Sequence, residues 1–197
     1  MKELILRMRI FIFSVLLLIP GCHSLSQEFA PPVSGVPSGK WILMDISEQA
    51  LSVLSGDSLI RQYPVSTSRF GPGNLENSNQ TPLGWHRIRN KIGDNAPLGT
   101  IFKARKSTGE RAVILIDSID VPEDLITTRI LQLEGCEPGI NRGGKYDSYG
   151  RCIYIHGTPE EGLIGRSASH GCIRMKNEDI VNLFNCVDLN SFVYIVK

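Results

Sequence analysis

From residue 40 onward the chain is cut into short runs that favour strands, each closed by glycine, proline, asparagine or aspartate, and such punctuation argues for a mainly β fold. The runs are KWILMDI (40–46), ALSVLSG (50–56), SLIRQYPVST (58–67), WHRIRNK (85–91), TIFKAR (100–105), AVILID (112–117), RCIYIHG (151–157) and SFVYIVK at the C-terminus. Ser55-Gly56 followed by Asp57 reads as a hairpin turn between the second and third runs. RFGPGNLENSNQ (69–80) has no apolar period and reads as a long loop. Two segments read as helices. Residues 122–135 carry Leu125, Ile126, Ile130, Leu131 and Leu133 with Gly135 as a stop, although Thr127 and Thr128 weaken the pattern. In residues 176–185, Asn177 is placed to cap, Glu178 and Asp179 suit the positive N-terminal end, and Ile180, Val181 and Phe184 share a face. The expected architecture is a mixed sheet or β-sandwich with a few helices.

The N-terminus reads differently. Lys2, Arg7 and Arg9 accompany the apolar run 10–19, which is short for a bilayer span, and together they read as an export signal over residues 1–21. Cys22, after Ile19, Pro20 and Gly21, resembles the lipidated cysteine of a bacterial lipobox; an ordinary secretory signal or an uncleaved anchor are the alternatives. Residues 22–39, rich in Ser, Pro and Gly, read as a tether, leaving 40–197 as a single catalytic domain. His23 in place of an aspartate after Cys22 points to an outer-membrane anchor facing the periplasm. The net charge of +1 over the whole chain becomes nearly balanced without residues 1–21, 18 basic against 19 acidic side chains, so nothing argues for a nucleic-acid partner. Cys136, Cys152, Cys172 and Cys186 remain for an oxidising compartment, where an even number suggests disulfides. If one is a catalytic thiol, a single bridge remains, and Cys136 with Cys152 is the expected pair because the Gly-rich segment between them could close as a loop.

A thiol attacks a carbonyl as thiolate, so a catalytic cysteine needs a base or a positive charge beside it. His156 ends an apolar run and Cys172 lies in a glycine-containing turn just before a helix, places where a rigid scaffold displays reacting groups. Gly171 lets the backbone bend tightly and leaves room for a substrate. On spacing alone two other readings stay open. One is a core histidine beside a disulfide-bonded cysteine; the other is zinc held by His156, His170 and Cys172, although no CxxC or HExxH pattern accompanies them.

IHGTPEEGLIGRSASHGCIRM (155–175) resembles the signature of the L,D-transpeptidase (YkuD-like) catalytic domain, with His-Gly-Thr, a spacer, then Ser-His-Gly-Cys-Ile-Arg-Met. PVST (64–67), TPLGWHRI (81–88) and the pair NEDIVNLFN and SFVYIV resemble further family segments in the same order, so the similarity runs from about residue 40 to the C-terminus. The resemblance implies a YkuD-like mixed-sheet fold and a cysteine acyltransferase acting on peptidoglycan stem tetrapeptides. It implies 3-3 cross-links formed through a Cys172 thioester, without a cofactor or metal. His156 would act as general base and then acid, its ring fixed by the backbone carbonyl of Gly157, and the N–H groups of Gly171 and Cys172 would hold the oxyanion. His170 would line the site, orienting substrate or the turn. Arg174 would either fork onto a substrate carboxylate or pin the turn through backbone carbonyls. Ser169 and Thr158 would bond backbone or substrate. Tyr146 and Tyr149, in the segment before the histidine strand, read as partly buried loop aromatics, with a place in a lid over the pocket as the alternative.

Glu160 and Glu161 read as solvated loop charges, and His86 as a surface residue without a role. The loop at 69–80 is longer than in compact family members, Trp85-His86 falls where members vary, and Cys136, Cys152 and Cys186 have no counterpart in the motif. The expected partners are peptidoglycan stem peptides and, through a lipid on Cys22, a membrane. Two further readings accompany this one: an L,D-carboxypeptidase or a hydrolase releasing a wall-bound protein with the same nucleophile, and a non-catalytic peptidoglycan-binding lipoprotein.

Overall fold

The structure is a computed structural model that describes residues 37–197. The signal, Cys22 and most of the tether lie outside the described residues. Ten strands and one α-helix follow in the order β1 (Lys40–Asp45), β2 (Ala50–Ser55), β3 (Ser58–Pro64), β4 (Gly84–Ile92), β5 (Thr100–Lys103), β6 (Lys106–Arg111), β7 (Ile126–Gly135), β8 (Tyr154–Gly157), β9 (Ile173–Met175), α1 (Asn177–Cys186) and β10 (Phe192–Val196). They form one mixed sheet ordered β3-β2-β1-β10-β4-β7-β5-β6, with β8 also on β7 and β9 on β8. Parallel pairing occurs between β1 and β10 and between β8 and β9.

Two-residue periodicity decides which face of each strand is buried. Ile42 and Met44, Leu51 and Val53, Ile155, Ile173 and Met175, and Val193 and Ile195 all enter one core, which α1 covers with Ile180, Leu183 and Phe184. Leu183, rather than the expected Val181, completes the i, i+3, i+4 face. A second, smaller cluster of Phe102, Ile130 and Tyr154 lies on the other side of β7 and β8, and Cys172 packs against it.

Of the segment 122–135, read as a helix, residues 122–125 are irregular and residues 126–135 are instead β7. Its apolar run is nearly continuous because both of its edges are paired and both of its faces are covered, which mimics a buried helix in sequence. The threonines that weakened the helix reading mark a register shift between Thr127 and Ile130, where Thr128 adopts φ 66°. On the N-terminal side of that bulge β7 pairs with both β5 and β8, and beyond it the pairing with β8 resumes at Ile130 opposite His156.

Residues 112–117 are not a strand either. The chain turns back at Ala104 and Arg105, both in the left-handed region, so β6 precedes the expected run. The run itself is held as an irregular segment by Leu115 N–H to Pro159 O and Gly162 N–H to Leu115 O, leaving Val113 and Ile116 each 81% exposed.

All four cysteines among the described residues are free, so the expected Cys136–Cys152 bridge is absent. Cys136 is buried at the end of β7 while Cys152 is exposed in the turn before β8. The Gly-rich segment between them closes through Ser148 N–H to Asn141 O and Ile153 N–H to Ser148 O. No helix among the described residues is long and apolar enough to cross a membrane.

Candidate active site

Strands β8 and β9 run side by side with Ile155 opposite Ile173, His156 opposite Arg174 and Gly157 opposite Met175. Because Ile155, Ile173 and Met175 face the core, alternation sends His156 and Arg174 to the opposite face, and the same alternation carries Tyr154 and Cys172 there. The nucleophile candidate and the base candidate are thus neighbours on one face of one short parallel ladder. The Cys172 thiol accepts the Tyr154 N–H at 3.4 Å and donates to Cys152 O at 3.5 Å. Burial pushes it up to about 12, a shift that the Tyr154 N–H opposes and the charge of Asp124 reinforces.

His156 is buried, and its Nδ1 lies 2.8 Å from Gly157 O. A carbonyl can only accept, so Nδ1 carries the proton and Nε2 is left with its lone pair. Burial holds the imidazole below its ordinary value, although the charge of Asp124 and the Gly157 carbonyl both act to raise it. Gly157 leaves no room for a side chain, since a Cβ there would stand 2.8 Å from both Asn177 Oδ1 and Thr127 O.

The turn that presents Cys172 is tied from several directions. Ser169 Oγ donates to Cys172 O at 2.6 Å and receives Gly171 N–H at 3.3 Å. Thr81 Oγ1 donates to Gly171 O at 3.0 Å and accepts Ser68 N–H at 3.0 Å. Gly171 has φ 126°, a conformation open to glycine. Ser66 pairs with Arg174 through both N–H to O bonds, and Ala168 and Ser169 both donate to Thr67 O. The segments 64–67, 81–88 and 155–175, distant in sequence, therefore meet at one turn.

Asp124, which sequence reasoning missed, is the hub of the charged groups. It accepts His170 N–H and contacts His170 Nδ1, both at 3.2 Å to Oδ2, and it accepts Arg174 Nε at 2.9 Å on Oδ1. Burial would raise its carboxyl, but the charges of His156 and Arg174 and the bonds from Arg174 and His170 outweigh burial and keep it below the usual range. Arg174 is fully buried, with Nη1 3.0 Å from Glu160. Its guanidinium is thus held between two internal carboxylates, with Nη2 left without a hydrogen-bond partner among the described residues, and at full burial it is not presented to a substrate.

Thr158 is likewise fully buried; its hydroxyl accepts Glu160 N–H and its carbonyl accepts Asn177 Nδ2, so it holds the scaffold. Ser169, also buried, serves the turn. Glu160 is buried rather than solvated and accepts Val121 N–H, while Glu161 Oε1 accepts both the N–H and Nδ2 of Asn177. Glu161 therefore caps α1, the role expected of Asn177, whose own Oδ1 accepts the hydroxyls of Thr127 and Thr128. His86 is a core residue, not a surface one: Nδ1 lies 3.0 Å from Gly84 O and Nε2 2.9 Å from Ser148 Oγ, and burial lowers it to about 4.

A cavity of about 400 Å³ opens beside the turn, lined by His170, Asn77, Asn79, Asp147, Arg151 and Ile153 among others. Tyr146 ends the short 3-10 turn Gly144–Tyr146; it and Tyr149 are equally exposed, and neither lines this cavity. No group of three or more His, Cys, Asp or Glu side chains among the described residues is arranged to hold a metal ion.

The model of the YkuD family, described as the L,D-transpeptidase catalytic domain, matches residues 39–195. The probable L,D-transpeptidase YbiS of Escherichia coli (strain K12) is 44% identical over 164 residues, covering 79% of this chain and 47% of YbiS. The putative L,D-transpeptidase YqjB of Bacillus subtilis (strain 168) is 35% identical over 69 residues, 32% of this chain and 39% of YqjB. The chain thus spans less than half the length of these curated relatives. Among solved structures, L,D-transpeptidase 3 from Mycobacterium tuberculosis in complex with a faropenem-derived adduct superposes with a TM-score of 0.50 at 18% identity, covering 81% of this chain and 60% of that one. At that identity the likeness is one of fold.

Proposed function

The chain belongs to the YkuD family of L,D-transpeptidase catalytic domains, and from that premise we propose that it is a cysteine acyltransferase that cross-links peptidoglycan stem peptides. The observation that carries the reading is the placement of Cys172 on the same face of the β8–β9 ladder as His156, a histidine whose Nδ1 is committed to Gly157 O at 2.8 Å, leaving Nε2 to take a proton. Sγ attacks the carbonyl joining the diamino acid at position three of a tetrapeptide to the D-residue at position four. The thiol proton passes to His156, the S–C bond forms, and the backbone N–H of Cys172 holds the oxyanion, joined by that of Gly171 as it leaves its long 3.3 Å contact with Ser169 Oγ, each such donor being worth about 3 kcal/mol. His156 then gives the proton to the leaving amine as the C–N bond breaks. The side-chain amine of a second stem attacks the thioester, yielding the 3-3 cross-link and restoring the thiol.

Asp124 supports this cycle by its charge. The imidazolium formed when His156 takes the proton gains a fixed anion nearby, while the thiolate is disfavoured by the same charge, so proton transfer and attack are coupled. The apolar run before Cys22 and the Ser/Pro/Gly-rich stretch after it support placing the domain on a lipid tether at the periplasmic side of an outer membrane.

The test is incubation of the chain with disaccharide-tetrapeptide and mass spectrometry of the products beside Cys172→Ala. A Cys172-dependent dimer lacking one D-residue is expected. Tripeptide monomer alone would make the protein an L,D-carboxypeptidase, and no product would leave a protein-releasing or wall-binding role.

A further inference from the structure

With Arg174 consumed by Asp124 and Glu160, the carboxylate of a bound stem needs another partner, and the cavity beside the turn supplies one. Arg151 lines that cavity, half-buried, on the chain just before β8. Two of its nitrogens are anchored by backbone: Nη1 donates to Gly73 O at 3.2 Å and Nη2 to Gln80 O at 2.6 Å. A guanidinium has five N–H donors, so the two anchors fix its plane and leave donors over. It forms no ion pair among the described residues, whereas Arg69, Arg87 and Arg174 each have a carboxylate.

Two acids share the wall, Glu76 and Asp147, and neither forms an ion pair with Arg151 among the described residues. Asp147 spends its oxygens on the N–H groups of Gly143 and Gly150. Arg151 also lies within electrostatic reach of Cys172, whose thiolate would raise its pKa against the lowering by burial. A half-buried, pre-oriented and unpaired guanidinium beside a nucleophile is built for a planar anion.

We propose that Arg151 is the carboxylate receptor of the acyl-donor stem, binding a free carboxylate as Cys172 attacks. This rests on the transpeptidase reading above and adds to it the group that orients the donor. Two carboxylates of a tetrapeptide qualify: that of the terminal D-residue, and that at the far end of the diamino-acid side chain.

The experiment uses the full chain, as wild type and Arg151→Gln, with three donors: the free tetrapeptide, the tetrapeptide amidated at the terminal D-residue, and the tetrapeptide amidated on the diamino-acid side chain. Release of the position-four residue is followed by mass spectrometry. For wild type, kcat/KM should fall by about tenfold to a hundredfold with one of the two amides, which identifies the carboxylate. Arg151→Gln should be slower on the free acid and should treat that amide and the free acid alike. Equal rates for all three donors with wild type would overturn the proposal. So would Arg151→Gln that is slower on every donor yet keeps the wild-type preference, since that is the behaviour of a loop merely disturbed at Gly73 and Gln80. Wild type that releases nothing through Cys172 from any donor would overturn the transpeptidase reading, and the role of Arg151 with it.

Discussion

With its thiol held near 12, Cys172 carries almost no thiolate at neutral pH, so attack depends on delivering the proton to His156 in the same step. His156→Gln should therefore slow release of the position-four residue by about 10²–10⁴-fold, the usual worth of a positioned base; an unchanged rate would remove His156 from the chemistry. The base works only when neutral, and burial lowers His156 from the ordinary imidazole value. Its neutral form then persists below pH 6.5, and the acid limb of kcat/KM should fall below that pH. An acid limb at or above pH 7 would contradict this. Cys172, His156 and the glycines beside them were legible in the sequence because the motif is contiguous. Asp124, Glu160 and His86 were not, since a buried ion pair or core imidazole is defined by which distant segments meet, and in sequence each looks like an ordinary surface residue.

At the level of elements, Asn177 shows how one side chain sets the relative position of three of them. Standing at the start of α1, it accepts the hydroxyls of Thr127 and Thr128 at the β7 bulge and donates to Thr158 O beyond β8. Its Oδ1 also faces Gly157, whose carbonyl orients His156. Asn177→Ala would leave two buried hydroxyls and one carbonyl without this partner, so unfolding in urea should show a loss of about 1–3 kcal/mol. Wild-type stability would mean that solvent or neighbours replace it. Gly157→Ala should do more to activity, because its Cβ meets the backbone oxygen of Thr127 and must shift the β7–β8 ladder beside the base. Release of the position-four residue should fall in that variant even where circular dichroism reports an intact sheet. The hairpin at Gly56-Asp57 and the helix 176–185 could be read from turn chemistry and period alone. The strand β7 could not, because a run buried on both faces loses the alternation that identifies a strand.

On the scale of the whole molecule, two buried imidazoles tie stability to pH. His86, neutral between Gly84 O and Ser148 Oγ, is lowered by burial from 6.5 to about 4, and His156 is lowered as well. Between those two values the unfolded chain binds a proton at His86 that the folded protein refuses, so acid favours unfolding across this window. Above pH 6.5 both states are neutral at this position and the dependence vanishes. His86 alone should cost about 3 kcal/mol by pH 4, and His156 adds to the loss in the same direction. The Asp124 carboxylate works alongside: held below the usual range, it loses its contribution as pH falls through its folded value, further down the scale. Chemical denaturation at a series of pH values should thus show a slope that sets in near pH 6.5, well above any carboxylate titration. His86→Gln, which cannot titrate, should be less stable than wild type at pH 7 yet show a shallower slope from pH 6.5 to 4. If the variant keeps the full wild-type slope, the acid sensitivity originates elsewhere, and the core position of His86, on β4 against Ser148, would have no part in it.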